Sequence, residues 1–264
     1  MEWSNLVGNL EEQVLPNPCF VFGLHKCGST LMHKMVREVC IQANIPILDI
    51  PALAFKEGIA GKDWSADESL IPIFKQSRLF LGFRFLPQVL MNPDLKIRDK
   101  KFVLLVRDPR DALVSAFFSF GGKHLSHKLP QKNSEAFLAR VQNNANLDID
   151  EYVIKHSQTN LKRMIEYRDH LDFNTGMIFR YEDIYYDKLK FLKAIFEHFS
   201  IDVDNALLAR VAKKHDVRPE QEDVSKHIRK GAPGDYINKL KPETIEKLNA
   251  ILSDIASSYG YDLK

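Results

Sequence analysis

Six consecutive residues, Lys26-Cys27-Gly28-Ser29-Thr30-Leu31, carry the densest chemistry of the chain. Gly28 lets backbone approach a ligand closely, Ser29 and Thr30 add hydroxyl donors, and Lys26 adds a full positive charge. The flanking sequence sets these groups between a strand and a helix. Cys19 to Phe22 reads as a short buried strand, Gly23 breaks it, and from Ser29 the apolar residues Met32, Val36 and Val39 keep helical spacing to about Ala43. Such a loop aims successive N–H groups and the positive end of the helix dipole into one concavity, and the ligand that suits it is a phosphate.

A second candidate anchor is Arg107. Residues 102–106 are all apolar, as expected of a strand buried on both faces of a parallel sheet. Arg107 follows at its carboxyl end, Asp108 and Pro109 read as the N-cap and first residue of a helix to about Phe120, and Ser115 falls in that helix's second turn. An arginine at a strand end is, standing alone, more often half of a surface ion pair. With a phosphate loop opening at the same edge, Arg107 and Ser115 become a site for a second anion.

Strands alternate with helices along the rest of the chain. Further strands are expected at Leu79 to Phe83 and Met177 to Phe179, and helices at about 134–145, 150–171, 186–199, 204–214 and from Pro242 onward. Residues 45–67, punctuated by Pro46, Pro51, Gly58 and Gly61, read as an irregular segment able to line a pocket beside the phosphate loop. The expected fold is α/β, a three-layer α/β/α with a central parallel sheet, and its ligand belongs at the carboxyl ends of the strands.

Composition sets bounds. With 264 residues and 45% hydrophobic content, one core and a single domain over 1–264 are expected. Lys and Arg number 37 against 35 Asp and Glu, so the chain lacks the charge excess of a nucleic-acid binder and any anion site is local. Three cysteines without a C-x-x-C pair argue against a disulfide framework or zinc site. No run approaches a membrane span and the start is acidic rather than signal-like, so a cytoplasmic location is expected. His124 and His127 have metal-ligand spacing, but in a polar loop without further ligands they read as solvated, and no metal is expected.

The ATP-binding loop G-x-x-x-x-G-K-[ST] has lysine directly after its second glycine. Here Ser29 holds that position and Lys26 lies inside the loop. The altered loop resembles the 5′-phosphosulfate loop of the sulfotransferases that use 3′-phosphoadenosine 5′-phosphosulfate (PAPS). Val103 to Ser115 is similar to that family's 3′-phosphate motif, a strand ending in arginine with serine eight residues on. Phe179-Arg-Tyr-Glu-Asp-Ile resembles its Tyr-Glu-Asp strand end. Ile228-Arg-Lys-Gly-Ala-Pro-Gly-Asp-Tyr resembles its Arg-Lys-Gly-x-x-Gly-Asp-Trp segment, the most specific of the matches. The resemblance covers about residues 19–240 in family order. It implies a PAPS-dependent sulfotransferase without a metal, with residues 26–31 on the phosphosulfate, Tyr181 on the nucleotide, and Arg107, Ser115, Arg229, Lys230 and Gly231 around the 3′-phosphate. The acceptor it implies is a hydroxyl or amine of a small molecule or glycan.

Two departures stand out. Phe85, in Phe83-Arg-Phe-Leu-Pro87, occupies the position where cytosolic members often carry their histidine base, and Lys214 to Arg218 lacks the family's adenine contacts. His25, beside Lys26 at the loop mouth, is the candidate base because its pKa suits the task; His33 reads as a packing or capping residue, and Asp49, Glu57 and Asp63 are the other candidates. Two other readings are a P-loop kinase or NTPase with Asp108 on magnesium, which would need lysine in place of Ser29, and a nucleotide-binding module without turnover.

Overall fold

The computed structural model describes Trp3 and residues 15–121, 142–218 and 231–264. Most of the helix expected over 134–145, and His124, His127, Arg229 and Lys230, lie outside these residues.

The strands are β1 (Cys19–Gly23), β2 (Ile47–Leu48), β3 (Leu79–Phe83), β4 (Phe102–Val106) and β5 (Gly176–Arg180). They form one parallel sheet in the order β2-β3-β1-β4-β5. In β1, Phe20 pairs with Phe80 on one side and with Phe102 on the other, so the central strands are apolar on both faces. From β1 the chain leaves toward β2, whereas from β4 it leaves toward β5. The crevice outside the carboxyl ends of β1 and β4 is therefore the topological switch point, where a ligand of an open α/β sheet binds.

The helices between and after the strands are α1 (Ser29–Gln42), α2 (Ile50–Glu57), α3 (Gly61–Ser65), α4 (Ile71–Phe74), α5 (Pro109–Phe120), α6 (Ile149–His170), α7 (Tyr181–Tyr186), α8 (Lys188–His198), α9 (Asn205–Lys214), α10 (Tyr236–Lys239) and α11 (Pro242–Ser257). α9 packs on both α1 and α8, and Met32, Val36, Ile195 and Val211 join the sheet residues in the main core. α6 packs on α5 and α11 around a second cluster that includes Leu113, Tyr152, Val153, Leu248 and Leu252. This is a three-layer α/β/α arrangement.

One expectation is corrected. Residues 45–67 are mostly ordered as β2, α2 and α3, because the residues read as breakers are boundaries. Asp49 caps α2 by accepting the Ala52 N–H at 2.8 Å, Pro51 sits in its first turn, and Gly58 ends it at φ 72. The helix expected over 186–199 is α8, its start capped by the Asp187 carboxylate through the Lys190 N–H at 2.9 Å, and α7 before it is a further short helix.

Candidate active site

The loop after β1 is tied to β4 by the Leu24 N–H, which donates to the Leu105 carbonyl at 2.9 Å. Lys26 (φ 67) and Gly28 (φ 83) both adopt left-handed backbone, which turns the chain sharply into α1. For a lysine this conformation is uncommon, and such residues cluster where ligands are clamped. Gly28 is the N-cap of α1, and among the described residues no side chain caps the first turn. The Leu31 N–H donates to the Gly28 carbonyl at 2.9 Å, whereas the Ser29 and Thr30 N–H groups precede the first intrahelical bond and open on the crevice, a fit for an anion. Only glycine suits position 28, since a Cβ there would lie 2.5 Å from the Tyr181 ring. Ser29 is buried, its Cβ 2.7 Å from where a side chain on Gly23 would begin.

Lys26 Nζ donates to Ser119 Oγ at 2.6 Å, and that hydroxyl donates to the Ser115 carbonyl at 3.0 Å. The lysine thus reaches one helical turn beyond Ser115. Burial, with smaller contributions from the Arg84 and Arg107 charges, lowers the Lys26 pKa to about 8. The His25 ring stacks on Phe120, centroids 5.2 Å apart. His25 also lines a cavity of about 240 Å³ with Ala116, Tyr152, His156, Asn160 and Arg163.

Arg107 is buried at the end of β4. Its Nη2 donates to Asp111 Oδ2 at 3.3 Å, and its guanidinium lies 4.6 Å from the centre of the Tyr181 ring. Burial works to lower its pKa, but Asp111 and further anionic neighbours outweigh it and the net shift is upward. Arg107 Nε is buried with no partner among the described residues, a donor that an anion in the crevice would satisfy. Asp111 also accepts the N–H groups of Gly234 at 2.6 Å and Tyr236 at 2.9 Å, and the Tyr181 hydroxyl donates to the Gly231 carbonyl at 2.7 Å. These bonds pin the segment that follows Arg229 and Lys230 against both α5 and the start of α7.

The structure therefore brings Lys26, Gly28, Arg107, Tyr181 and Gly231 to one crevice, with Cys27 buried beneath it and Thr30 and Leu31 in the first turn of α1. Ser115 is half-buried on α5 and meets Lys26 through Ser119. Asp108 is engaged elsewhere: it caps α5 and pairs with Arg110 at 2.7 Å. His33 is a core residue. Its Nδ1 accepts the Gly82 N–H at 3.2 Å, and burial pushes its pKa down to about 3, which keeps it neutral. Asp49 pairs with Arg37, and burial, only partly offset by the Ala52 N–H and Arg37, raises its pKa. Glu57 lies in the last turn of α2, and Asp63 is exposed on α3. Phe85 packs toward Trp64, ring centroids 5.4 Å apart, as part of an aromatic wall.

Sequence reasoning left out Ser119, Asp111 and Arg84. The first two carried a faint signal, since Ser119 lies four residues after Ser115 and Asp111 four after Arg107, one turn apart on a helix face. Arg84 donates to the Thr30 hydroxyl at 3.3 Å, a contact across the sheet with no local signature.

A parallel sheet with a phosphate loop at its switch point and a buried arginine on the neighbouring strand defines an anion-binding α/β protein of the nucleotide-handling kind. Residues 16–259 match the sulfotransferase domain, and the chain belongs to that family. Comparison with curated proteins gives no match. Among solved structures, the fold is similar to that of mouse sulfotransferase SULT7A1 complexed with PAP, at 17% identity over 93% of this chain and 90% of that one, TM-score 0.56. Retinol dehydratase in complex with androsterone and inactive cofactor PAP aligns at 16% identity over 92% and 82% of the two chains, TM-score 0.48. A sulfotransferase from Alicyclobacillus acidocaldarius aligns at 15% identity over 93% and 96%, TM-score 0.47. No helix of the described residues is long and apolar enough to cross a membrane.

Proposed function

We propose that the protein transfers the sulfuryl group of PAPS to a hydroxyl or amine of a small molecule or glycan, releasing 3′-phosphoadenosine 5′-phosphate (PAP). The observation that carries this reading is the pairing, at one crevice, of an uncapped helix start beside Lys26 with the buried Arg107, whose Nε has no partner among the described residues. One cradle suits the phosphosulfate and the other a 3′-phosphate. Within this reading Arg229 and Lys230 add charge at the 3′-phosphate, Gly231 brings its backbone close, and the Tyr181 ring lies against the nucleotide. Residues 1–264 act as one domain, and the three buried, unpaired cysteines suit a reducing compartment such as the cytoplasm.

The acceptor's lone pair forms the new bond to sulfur while the bond from sulfur to the 5′-phosphate oxygen breaks and its electron pair stays on PAP. Lys26 and the N–H groups at the start of α1 neutralise the charge that gathers on that leaving phosphate. His25 takes the acceptor's proton. It sits at the mouth of the phosphate loop and opens on the cavity between α5 and α6, a place for an acceptor to enter.

Titration with PAP and with ATP tests the donor assignment. PAP is expected to bind tightly and ATP poorly, because ATP has no 3′-phosphate for Arg107; equal affinities would favour a P-loop kinase instead. Screening PAPS against panels of alcohols, phenols, amines and glycans then identifies the acceptor. With an acceptor in hand, His25→Ala is expected to lower turnover by about 10²–10⁴-fold while leaving PAP affinity nearly intact. Near-wild-type turnover of that variant from about pH 6 to 9, the range over which a histidine base changes state, would move the base to another group.

A further inference from the structure

We propose that Arg84 grips the terminal sulfuryl group of PAPS, the part that PAP lacks, from the side of the crevice opposite Arg107. This role rests on the donor assignment above. It is carried by where the guanidinium lies and by how firmly the backbone beneath it is held.

β3 ends at Phe83, which pairs with Phe22 of β1, so Arg84 is the first residue past a strand end that adjoins the phosphate loop's own strand. Its Nη2 donates to Thr30 Oγ1 at 3.3 Å, which places the guanidinium against the first turn of α1. Arg107 approaches the same loop from β4, on the other side of β1. The two arginines thus flank the phosphate loop rather than share one end of it.

The strand end beneath Arg84 is fixed from two directions. The Gly82 N–H donates to Nδ1 of the buried His33 on α1, and Gly82 has φ 96, where any side chain would run into the Asp49 carboxylate. Asp49 in turn is held by Arg37 and by the start of α2. The backbone from which the guanidinium projects is thus set before a ligand arrives, and the Thr30 hydroxyl already directs the side chain toward the loop. Among the described residues Thr30 is its one hydrogen-bond partner, and a guanidinium carries five donors in a planar fork.

Charge points the same way. The Arg84 charge is, after burial, the largest influence holding the Lys26 ammonium below its ordinary pKa, so the two cations act on each other. Neighbouring like charges oppose each other unless an anion sits among them. A sulfuryl group bears charge-rich oxygens for a lysine and an arginine fork to divide, and in a loose displacement those oxygens stay charge-rich throughout. Phe85, next in sequence, belongs to the aromatic wall with Trp64 and carries no charge, and the nearby Asp49 carboxylate, which acts on the Arg84 charge, is itself paired with Arg37. It exchanges no proton in this role; it holds the group being transferred.

Calorimetric titration of the wild type, Arg84→Met and Arg84→Lys with PAP and separately with PAPS tests the proposal. Arg84 is exposed, so both variants are expected to melt with the wild type. Arg84→Met is expected to weaken PAPS binding by about 10–100-fold, the scale of one hydrogen-bonded charge, and to leave PAP binding nearly unchanged, with Arg84→Lys recovering part of the loss. An equal loss for both nucleotides would place Arg84 on the 5′-phosphate, and no loss for either would make it a surface residue; each overturns the proposal while the donor assignment stands. A wild type that binds neither nucleotide overturns the donor assignment and this role together.

Discussion

Lys26→Ala is expected to lower turnover by about 10²–10³-fold, the cost of removing one preorganised donor from developing charge, and to weaken PAPS binding as well. Both effects follow from position, since the ammonium lies at the loop mouth and is held by Ser119 at 2.6 Å. Lys26→Gly separates function from fold. Position 26 has φ 67, so the glycine variant should be more stable than the alanine variant by about 1–2 kcal/mol, the cost of left-handed backbone for a residue with a Cβ, while both are equally inactive. Urea unfolding of the pair gives that difference. The pH dependence has a definite sign. With its pKa lowered to about 8, Lys26 is charged below that value and loses its proton above it. PAP affinity of the free enzyme should therefore fall as pH rises through about 8, and this fall should be absent from Lys26→Ala. A flat profile in the wild type, with turnover intact in the alanine variant, would falsify the role.

The second large effect is at Arg107. Arg107→Ala removes the cation from an Asp111 carboxylate whose side chain is 0% exposed and leaves it, among the described residues, with the Gly234 and Tyr236 N–H groups. A buried charge stripped of its partner costs about 3–5 kcal/mol, so unfolding free energy should drop by that amount. PAP affinity should fall by about 2–4 kcal/mol. The two losses can be parted by the double variant Arg107→Met with Asp111→Asn, which leaves no unpaired charge in the interior. Its stability should recover by most of the deficit and its PAP affinity should not. If the double variant binds PAP as the wild type does, Arg107 serves the fold alone and the 3′-phosphate is held elsewhere.

Much of the architecture was legible because it is encoded in contiguous residues. The apolar runs of β1, β3 and β4 mark buried parallel strands, Asp108-Pro109 opens α5, and the loop from Gly23 to Thr30 reads as a phosphate cradle without reference to any partner. Residues 45–67 misled for the same local reason. Proline and glycine mark an interruption but do not say whether it is a loop or the boundary of a short helix, and the Asp49 cap and the Gly58 turn decide that only when the backbone is seen.

Residue types and their neighbours along the chain set the kind of ligand and the edge of the sheet that receives it. Lys26, Gly28 and Arg107 have their chemistry from residue type, and their place at strand ends from the apolar residues just before them. The tertiary structure alone decided which groups meet: Lys26 with Ser119, Tyr181 with the Gly28 face and the Gly231 carbonyl, Asp111 with Gly234 and Tyr236, and Arg84 with Thr30. None of these pairs has a local signature, because each spans elements that only the strand order β2-β3-β1-β4-β5 sets side by side. That order is fixed by packing over the whole sheet, and by setting β1 between the successive strands β3 and β4 it carries Arg84 and Arg107 to opposite sides of one loop.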